Sequence, residues 1–534
     1  MAKQLMFDDE GRRKVLTGLQ KLAQTVKVTL GPSGRNVILD KMVGAPEATS
    51  DGVSISKEVE LEDPFENVGA RLGNSVADKT NDEAGDGATT AVVLAEAIYT
   101  EGLKNITAGA NPAHLQRGIE SAVEAAIAEI KKGSRPVEGK ADYKQVAFIA
   151  SHYDEDVASM IGDGMQKVGK EGVITVEDSK GVETTLDFVE GMQFDKGYLS
   201  PHFVNKADTL TAEFDDPYIL LTDRKITSVK DLVPVLELVV QTGKALCIIA
   251  EEVESEALSA LLVNRLRGVL KVVPVKAPAF GDRRKAMLQD MAILTGGEVI
   301  SEETGLTFEG VKMAHLGGAK QVKVEKERTT VIGGKGKKKD IEGRIEELRA
   351  SIEKTTSDYD REKLEERLAK LTGGVAILRV GGATEAEMKE RKLRVQKAVQ
   401  AARSAAESGV VAGSGLPYLR AAQAVEKLDL SGDEQTGAGV LAAALLAPLW
   451  NIAQNSGHDG SMIVHEALEM SGNEGFDAVK GEWTDLLENG ILDATGVVCS
   501  ALQAAAGVSG AMLTASSVVV EMKDEKSAVA GAVK

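Results

Sequence analysis

The stretch "NDEAGDGATTAVVLAEAI" (residues 81–98) sets a carboxylate between two glycines, follows it with two threonines, and then runs into an apolar segment. A glycine-flanked turn at a helix start leaves backbone N–H groups unpaired beside the positive end of the helix dipole, where phosphate oxygens bind well. A carboxylate there repels phosphates unless a divalent cation lies between them. One reading is therefore a metal-plus-phosphate cradle, in which Asp86 holds Mg²⁺ while Thr89, Thr90 and the amides of Gly87 and Ala88 meet oxygens. The other is a helix cap, with Asp86 satisfying the first amides. A second glycine-rich turn, "TLGPSGRN" (29–36), favours the cradle. Neither turn matches GxxxxGK[ST] or GxGxxG, so a nucleotide site here falls outside those loop classes.

Helical periodicity at 10–30 and 64–133, with stops at "GPSG" (31–34) and "GANPAH" (109–114), positions both turns. Between them "RNVILDK" (35–41) and "DGVSISKEVEL" (51–61) alternate like strands. Ala-rich helices at 394–409 and 437–457 are apolar nearly all round and hence buried, so one domain is assembled from both ends of the chain. The middle differs: "GVITVED" (172–178), "YILLTDRKI" (218–226), "KALCIIAEE" (244–252) and "VLKVVPVKAP" (269–278) read as strands alternating with helical segments such as 228–243, an α/β domain. Residues 341–374 read as a charged helical hairpin.

At 534 residues the chain needs two to four domains, and with aromatics at 4% its core rests on Ala, Val, Leu and Ile. A formal charge of −19 argues against a nucleic-acid partner, and the basic run "GGKGKKKD" (333–340) reads as a solvated loop. Cys247 and Cys499 lie in apolar contexts and form no disulfide framework. The start has no apolar signal core, and no run of 18 apolar residues free of charge stands out, so the expectation is a cytoplasmic protein with no membrane partner.

Taken together, "VTLGPSGRNVILDK", "SDGVSISKEVELEDPFENVGARL", "NDEAGDGATTAVVLAEAI", "VKAPAFGDRRKAMLQDMAILTGG", "ESGVVAGSG" and "NGILDATGVV" closely resemble the GroEL-type group I chaperonins, over about residues 3 to 522. The resemblance implies a mixed α and α/β multidomain subunit. Its parts are a largely helical equatorial ATP-binding domain (1–132 and 408–534), a small intermediate hinge domain (133–189 and 376–407) and an α/β apical domain (190–375). It implies a homo-oligomeric ring, seven-membered and stackable in pairs, that binds unfolded or misfolded polypeptides on its apical rim and takes a GroES-type co-chaperonin as lid. ATP and Mg²⁺ are the implied cofactors, with K⁺ a further candidate. Thr29, Leu30, Gly31 and Pro32 then flank the nucleotide, Ser50 lies near the phosphates, Gly413 and Ser414 line the site, Asp477, Ala478 and Val479 lie near the base, and Asp493 meets the ribose. Tyr198, Phe203, Val233, Leu236, Leu258, Leu262 and Val263 fall where the family presents an exposed apolar groove, which removes oily surface from water without regard to sequence.

The departures concern mechanism. Lys397 stands where the family carries the aspartate that orients or deprotonates the attacking water, and a charged ammonium has no lone pair for that work. Lys397 is left either to contact the γ-phosphate or to pair with Asp51, which is retained and able to position water. Ser33 and Ser50 replace customary lysines, and His202 replaces a customary aromatic residue in the groove. Glu385 is retained, with Lys196 for its usual arginine partner. Trp450 replaces a basic residue of the ring-to-ring interface, His458 and Asp459 occupy its partner segment, and the tail "EKSAVAGAVK" lacks Gly-Gly-Met repeats. The resulting expectation is an ATP-dependent folding chaperone with slowed hydrolysis; the alternative is an ATP-binding, weakly hydrolysing paralogous subunit that holds its clients. A small-molecule kinase accounts for the phosphate loops but not for the apolar middle.

Overall fold

Helices Asp8–Lys27 and Pro64–Ala84 cross where each offers the other a glycine. A Cβ on Gly18 would sit 1.7 Å from the Glu66 carbonyl oxygen, and one on Gly69 2.0 Å from that of Val15. Helices Pro112–Lys132 and Gly432–Ala444 meet in the same way through Gly118 and Gly437. Backbones brought this close need few large rings between them, which is how a chain poor in aromatics fills a core. The computed structural model describes residues 3–40, 46–170, 172–179, 181–207, 209–355 and 357–521. The tail discussed above lies outside them.

The described residues divide into two compact units, one holding everything up to Gly162 and from Thr384 on, the other Asp163–Ala383. In the first unit Leu94, Ile98, Leu115, Leu441 and Leu502 lie in one buried cluster, drawn from helices Ala88–Thr107, Pro112–Lys132, Gly432–Ala444 and Thr495–Thr514. Strand Lys3–Phe7 pairs antiparallel with Ser517–Glu521, so the two ends of the described chain share a ladder. Gly432–Asn455 and Thr495–Thr514 are long and apolar enough to cross a bilayer by length and composition, contrary to the sequence expectation, but they are 67% and 61% buried inside the unit. Their apolar surface is used in the core.

Residues 51–61 are a correction. The segment forms helix Gly52–Glu58, capped by Asp51, whose carboxylate accepts from the Ser54 N–H at 2.9 Å. Burial falls on Gly52, Val53, Ile55 and Ser56, a helical i, i+1, i+3, i+4 pattern. Glycine and serine carry no hydrophobic signal, so only the alternating Val and Ile were visible as a period of two.

The second unit is built on an eight-stranded mixed sheet whose main order is Val272–Lys276, Leu246–Ala250, Tyr218–Thr222, Gly317–Val324, Thr329–Gly334, Gly191–Phe194. The first three strands run parallel and the last three are joined by antiparallel ladders. Helices Val229–Val240, Ser255–Leu266 and Gly281–Thr295 follow the parallel strands, the βα alternation expected of an α/β layer. The basic run at 333–340 is not wholly a loop: Gly333 and Gly334 end a strand, Lys335 pairs with Asp216, and helix Lys338–Lys354 begins within it. That helix and Asp358–Gly373 form the hairpin, tied to helix Gly281–Thr295 through Asp290, which is 1% exposed. Asp290 accepts from Arg344 Nε at 2.8 Å and from Arg367 Nε and Nη2 at 2.7 and 2.9 Å.

Removing that carboxylate strands two guanidinium groups against a buried face. Asp290→Ala should destabilise the second unit by about 3 kcal/mol in urea unfolding followed by circular dichroism; a loss under about 0.5 kcal/mol would assign the cluster to the solvated surface.

Candidate functional site

Helix Pro64–Ala84 ends on Gly85 at φ 73°, and helix Ala88–Thr107 starts from Gly87 at φ 85°. Both glycines are left-handed, a conformation side chains resist. Space is closed to them as well, since a Cβ on Gly85 would lie 2.5 Å from Gln400 Cβ and one on Gly87 2.8 Å from Val497 Cγ1. Between them Asp86 is carried past the helix start instead of onto it. No side chain caps helix Ala88–Thr107, and Asp86 makes no hydrogen bond or ion pair with any described residue. The cap reading is therefore overturned. What remains is a free carboxylate beside the unpaired amides of a helix N-terminus.

These groups border a cavity of about 640 Å³ inside the first unit. Its wall includes Thr29, Leu30, Gly31, Pro32, Ser50, Gly87, Ala88, Thr89, Thr90, Lys397, Ser414, Asp477, Ala478, Val479 and Asp493, so the structure brings together positions spread over more than four hundred residues of sequence. The first turn is shaped by Gly34 N–H to Gly31 O at 3.0 Å and Arg35 N–H to Val28 O at 2.8 Å. It is pinned by Asn455, whose Nδ2 donates to the Lys27 and Leu30 carbonyls at 2.8 and 2.9 Å. The Thr29 and Thr89 hydroxyls lie 3.4 Å apart, joining the two turns.

Two expected positions do not border the cavity. Gly413 gives its N–H to Ile491 O at 2.8 Å and sits behind the wall. Asp51 is 6% exposed and screened by Lys397, whose ammonium is paired directly with Asp51 Oδ1. The other oxygen, Oδ2, accepts from Ser54 N–H at 2.9 Å and Ser54 Oγ–H at 2.5 Å. Burial alone pushes the Asp51 carboxyl up, but Lys397 and Ser54 together outweigh it and hold it below the usual aspartate value. Of the two roles open to Lys397, the structure shows the pairing with Asp51. Neither partner is then a free base.

At the other end of the cavity Asp477 organises a turn, accepting from the N–H groups of Val479 and Lys480 at 2.9 and 3.3 Å. Ser414, left-handed at φ 57°, donates its hydroxyl to Phe476 O at 2.8 Å. Asp493 stands on strand Leu492–Ala494, paired with Val410–Ala412. Burial, with a further contribution from Asp86, pushes its carboxyl up to about 7. Sequence reasoning missed Asn455 and the wall contributed by the end of helix Lys140–Ala150 and the turn after it, including Phe148, His152 and Tyr153. An amide at the end of an apolar helix was a readable signal for the first; "ASHYD" contains no glycine to announce a turn for the others.

The donor set fits Mg²⁺ held with a nucleotide. No group of three or more His, Cys, Asp or Glu among the described residues could hold a metal alone, and Mg²⁺ characteristically takes one or two carboxylates with phosphates supplying the rest.

In the second unit, Val233 is 40% and Val263 44% exposed, while Tyr198, Leu258 and Leu262 are half-buried against the core. Phe203 and Leu236 are corrections: at 0% and 8% exposure they belong to the core and support the surface from beneath. Phe203 ends a short helical turn, Pro201–Phe203, held by Arg265, which donates to the His202 and Val204 carbonyls at 2.5 and 2.6 Å. Val240, Leu266 and Val269, which the sequence reading passed over, are exposed on or just beyond the same two helices.

A helical unit built from both ends of the chain around a cavity of nucleotide size, with an α/β unit between them carrying apolar helix faces, has the architecture of a multidomain chaperonin. The model of the TCP-1/cpn60 chaperonin family matches residues 22–523, and the chain belongs to that family. It is a chaperonin-type chaperone of the 60 kDa kind, a class that binds unfolded polypeptides and assembles as rings.

The Asp493 carboxyl gives a test on the nucleotide-free protein. Its folded pKa of about 7 exceeds the ordinary value near 4, so the folded state binds this proton more tightly. Stability is favoured at low pH and lost as pH rises toward 7, with the full cost above that. Asp493→Asn should therefore raise stability by about 2 kcal/mol at pH 8, less than the whole shift implies because the group opens into a cleft, and should do little at pH 4. Equal effects at both pH values, read by thermal unfolding in chelator, would contradict this.

Proposed function

We propose that the chain is a subunit of a group I-type chaperonin that binds Mg·ATP in this cavity, with K⁺ as a further ion, and hydrolyses it slowly. The observation that supports this most is the free Asp86 carboxylate beside an uncapped helix start on the cavity wall. Asp86 would hold the cation, and the amides of Ala88, Thr89 and Thr90 with the two threonine hydroxyls would take phosphate oxygens. Mg²⁺ when bound supplies charge neutralisation at the phosphates. Asp51 is fixed by Ser54 and neutralised by Lys397, so it does not stand ready to take a proton from water. General-base help of that kind contributes about 10²–10⁴-fold, which sets the scale of the expected slowing.

The second unit, on this proposal, captures non-native polypeptides on the outer faces of helices Val229–Val240 and Ser255–Leu266, near Val233 and Val263. A seven-membered ring, a GroES-type lid, the three-part domain division and a cytoplasmic setting complete the proposal. The Lys397–Asp51 pair specifically favours a second reading, a holding subunit whose turnover is too slow to drive folding.

Calorimetry should detect Mg·ATP binding by the wild type and a loss of about tenfold or more in Asp86→Ala. Phosphate release should be slow in the wild type and rise at least about tenfold in Lys397→Asp. Brisk, equal turnover in both would remove the slow-hydrolysis claim. For the apolar face, Val233→Ser with Val263→Ser should weaken capture of a denatured polypeptide about tenfold, read by suppression of its light scattering, with the melting temperature preserved.

A further inference from the structure

Tyr153 and its neighbour His152 both sit in the left-handed region, at φ 66° and φ 58°, directly after helix Lys140–Ala150. Single left-handed residues at helix ends are common, but they are usually glycine; two large side chains in succession are strained. The turn is held by Tyr153 N–H to Phe148 O at 2.8 Å and His152 N–H to Ile149 O at 3.2 Å. Nothing in helix termination requires a ring at either position. Strain maintained in a cavity wall points to what the side chains do there.

Both line the cavity. His152 is held below the usual imidazole value first by burial and then by Lys397 and Arg394, with Asp86 and Glu390 acting in the other direction. Tyr153 shares the cavity wall with Asp477 and Asp493, whose charges reach it. Its ring meets that of Phe148 at a right angle, with centroids 5.2 Å apart and planes at 89°, a contact that braces the tyrosine. The residue remains 37% exposed, and its hydroxyl has no partner among the described residues. Burial first, then the two aspartates, push that phenol up to about 12, so it stays a neutral donor.

We infer that Tyr153 is the platform for the nucleobase, a specificity-determining residue that offers an aromatic face to the purine of a bound nucleoside di- or triphosphate. This rests on the nucleotide reading of the cavity and extends it. Phosphate recognition by Asp86 and the helix start is blind to the base, whereas an aromatic face rewards any ligand that carries one. The chain would thus retain nucleoside diphosphate as well as triphosphate, because both present the same base to the same ring.

The test compares Mg·ATP, Mg·ADP and Mg·tripolyphosphate by calorimetry on the full chain. Tyr153→Gly suits the left-handed backbone and should fold at least as well as the wild type, so loss of binding cannot be put down to misfolding. The expected result is ATP and ADP affinity about tenfold or more weaker in Tyr153→Gly, tripolyphosphate affinity unchanged, and Tyr153→Phe within about threefold of wild type for all three. Unchanged ATP and ADP affinity in Tyr153→Gly, or an equal loss for all three ligands, would overturn the inference while leaving the nucleotide reading intact. Failure of the wild type to bind either nucleotide would overturn both.

Discussion

A carboxylate prevented from capping the helix beside it is the constraint on which the first unit's chemistry depends. An aspartate one residue from a helix start ordinarily turns back onto the amides, at a gain of about 1 kcal/mol. Here Gly85 and Gly87 hold the backbone left-handed on either side of Asp86, and a side chain at either position would run into Gln400 or Val497. The amides and the carboxylate are therefore presented side by side, a combination that repels no cation and satisfies no anion alone. Asp493 registers the same arrangement, since the charge of Asp86 adds to the burial that keeps its proton on near neutrality. On the proposed reading, a cation held with phosphates would balance both groups at once.

Charge in this cavity has been relocated relative to the chaperonin pattern. Relative to the family pattern, Lys397 in place of an aspartate adds about two charge units, and Ser33 and Ser50 in place of lysines remove about two, of which only Ser50 borders the cavity. The total is unchanged, while its distribution now favours a static pair. An ammonium in contact with a carboxylate gains on the order of 4 kcal/mol at an effective dielectric of 20, enough to offset much of the burial cost of Asp51. That explains why the Asp51 carboxyl lies below its ordinary value despite its burial. The same attraction ties helix Glu385–Ser408 to helix Gly52–Glu58 with no ligand required.

What the sequence made legible follows from which signals are local. The glycines about Asp86 and at 31–34 mark backbone requirements, and the turns they announce are present; the helical ends and the strand-rich middle are equally plain from periodicity. Segment 51–61 failed because its buried face is half glycine and serine, which hydropathy does not register. Gly413 was placed one residue too near the cavity, for Ser414 takes the wall position and Gly413 closes the ladder behind it. Phe203 and Leu236 belong to apolar runs that contain both buried and exposed members, and composition cannot say which way each side chain points. Tyr153 was invisible for the opposite reason: nothing in its neighbours announces a left-handed turn.

The two corrections in the second unit refine what its apolar face can do. With Phe203 and Leu236 in the core, the exposed members are Val233, Val240, Val263, Leu266 and Val269, all aliphatic. Valines are stiff at χ1, so covering them costs little side-chain entropy, and they carry no polar group to dictate what covers them. Each is worth only about 1.5 kcal/mol when fully buried, too little for one subunit to hold a chain firmly. In a ring oligomer the same face recurs on every subunit, and linked weak contacts multiply into strong binding only while several can be engaged at once. On the proposed capture role, such a surface would bind without selectivity and let go once fewer contacts can be engaged, because its strength resides in the number of contacts and not in any one of them.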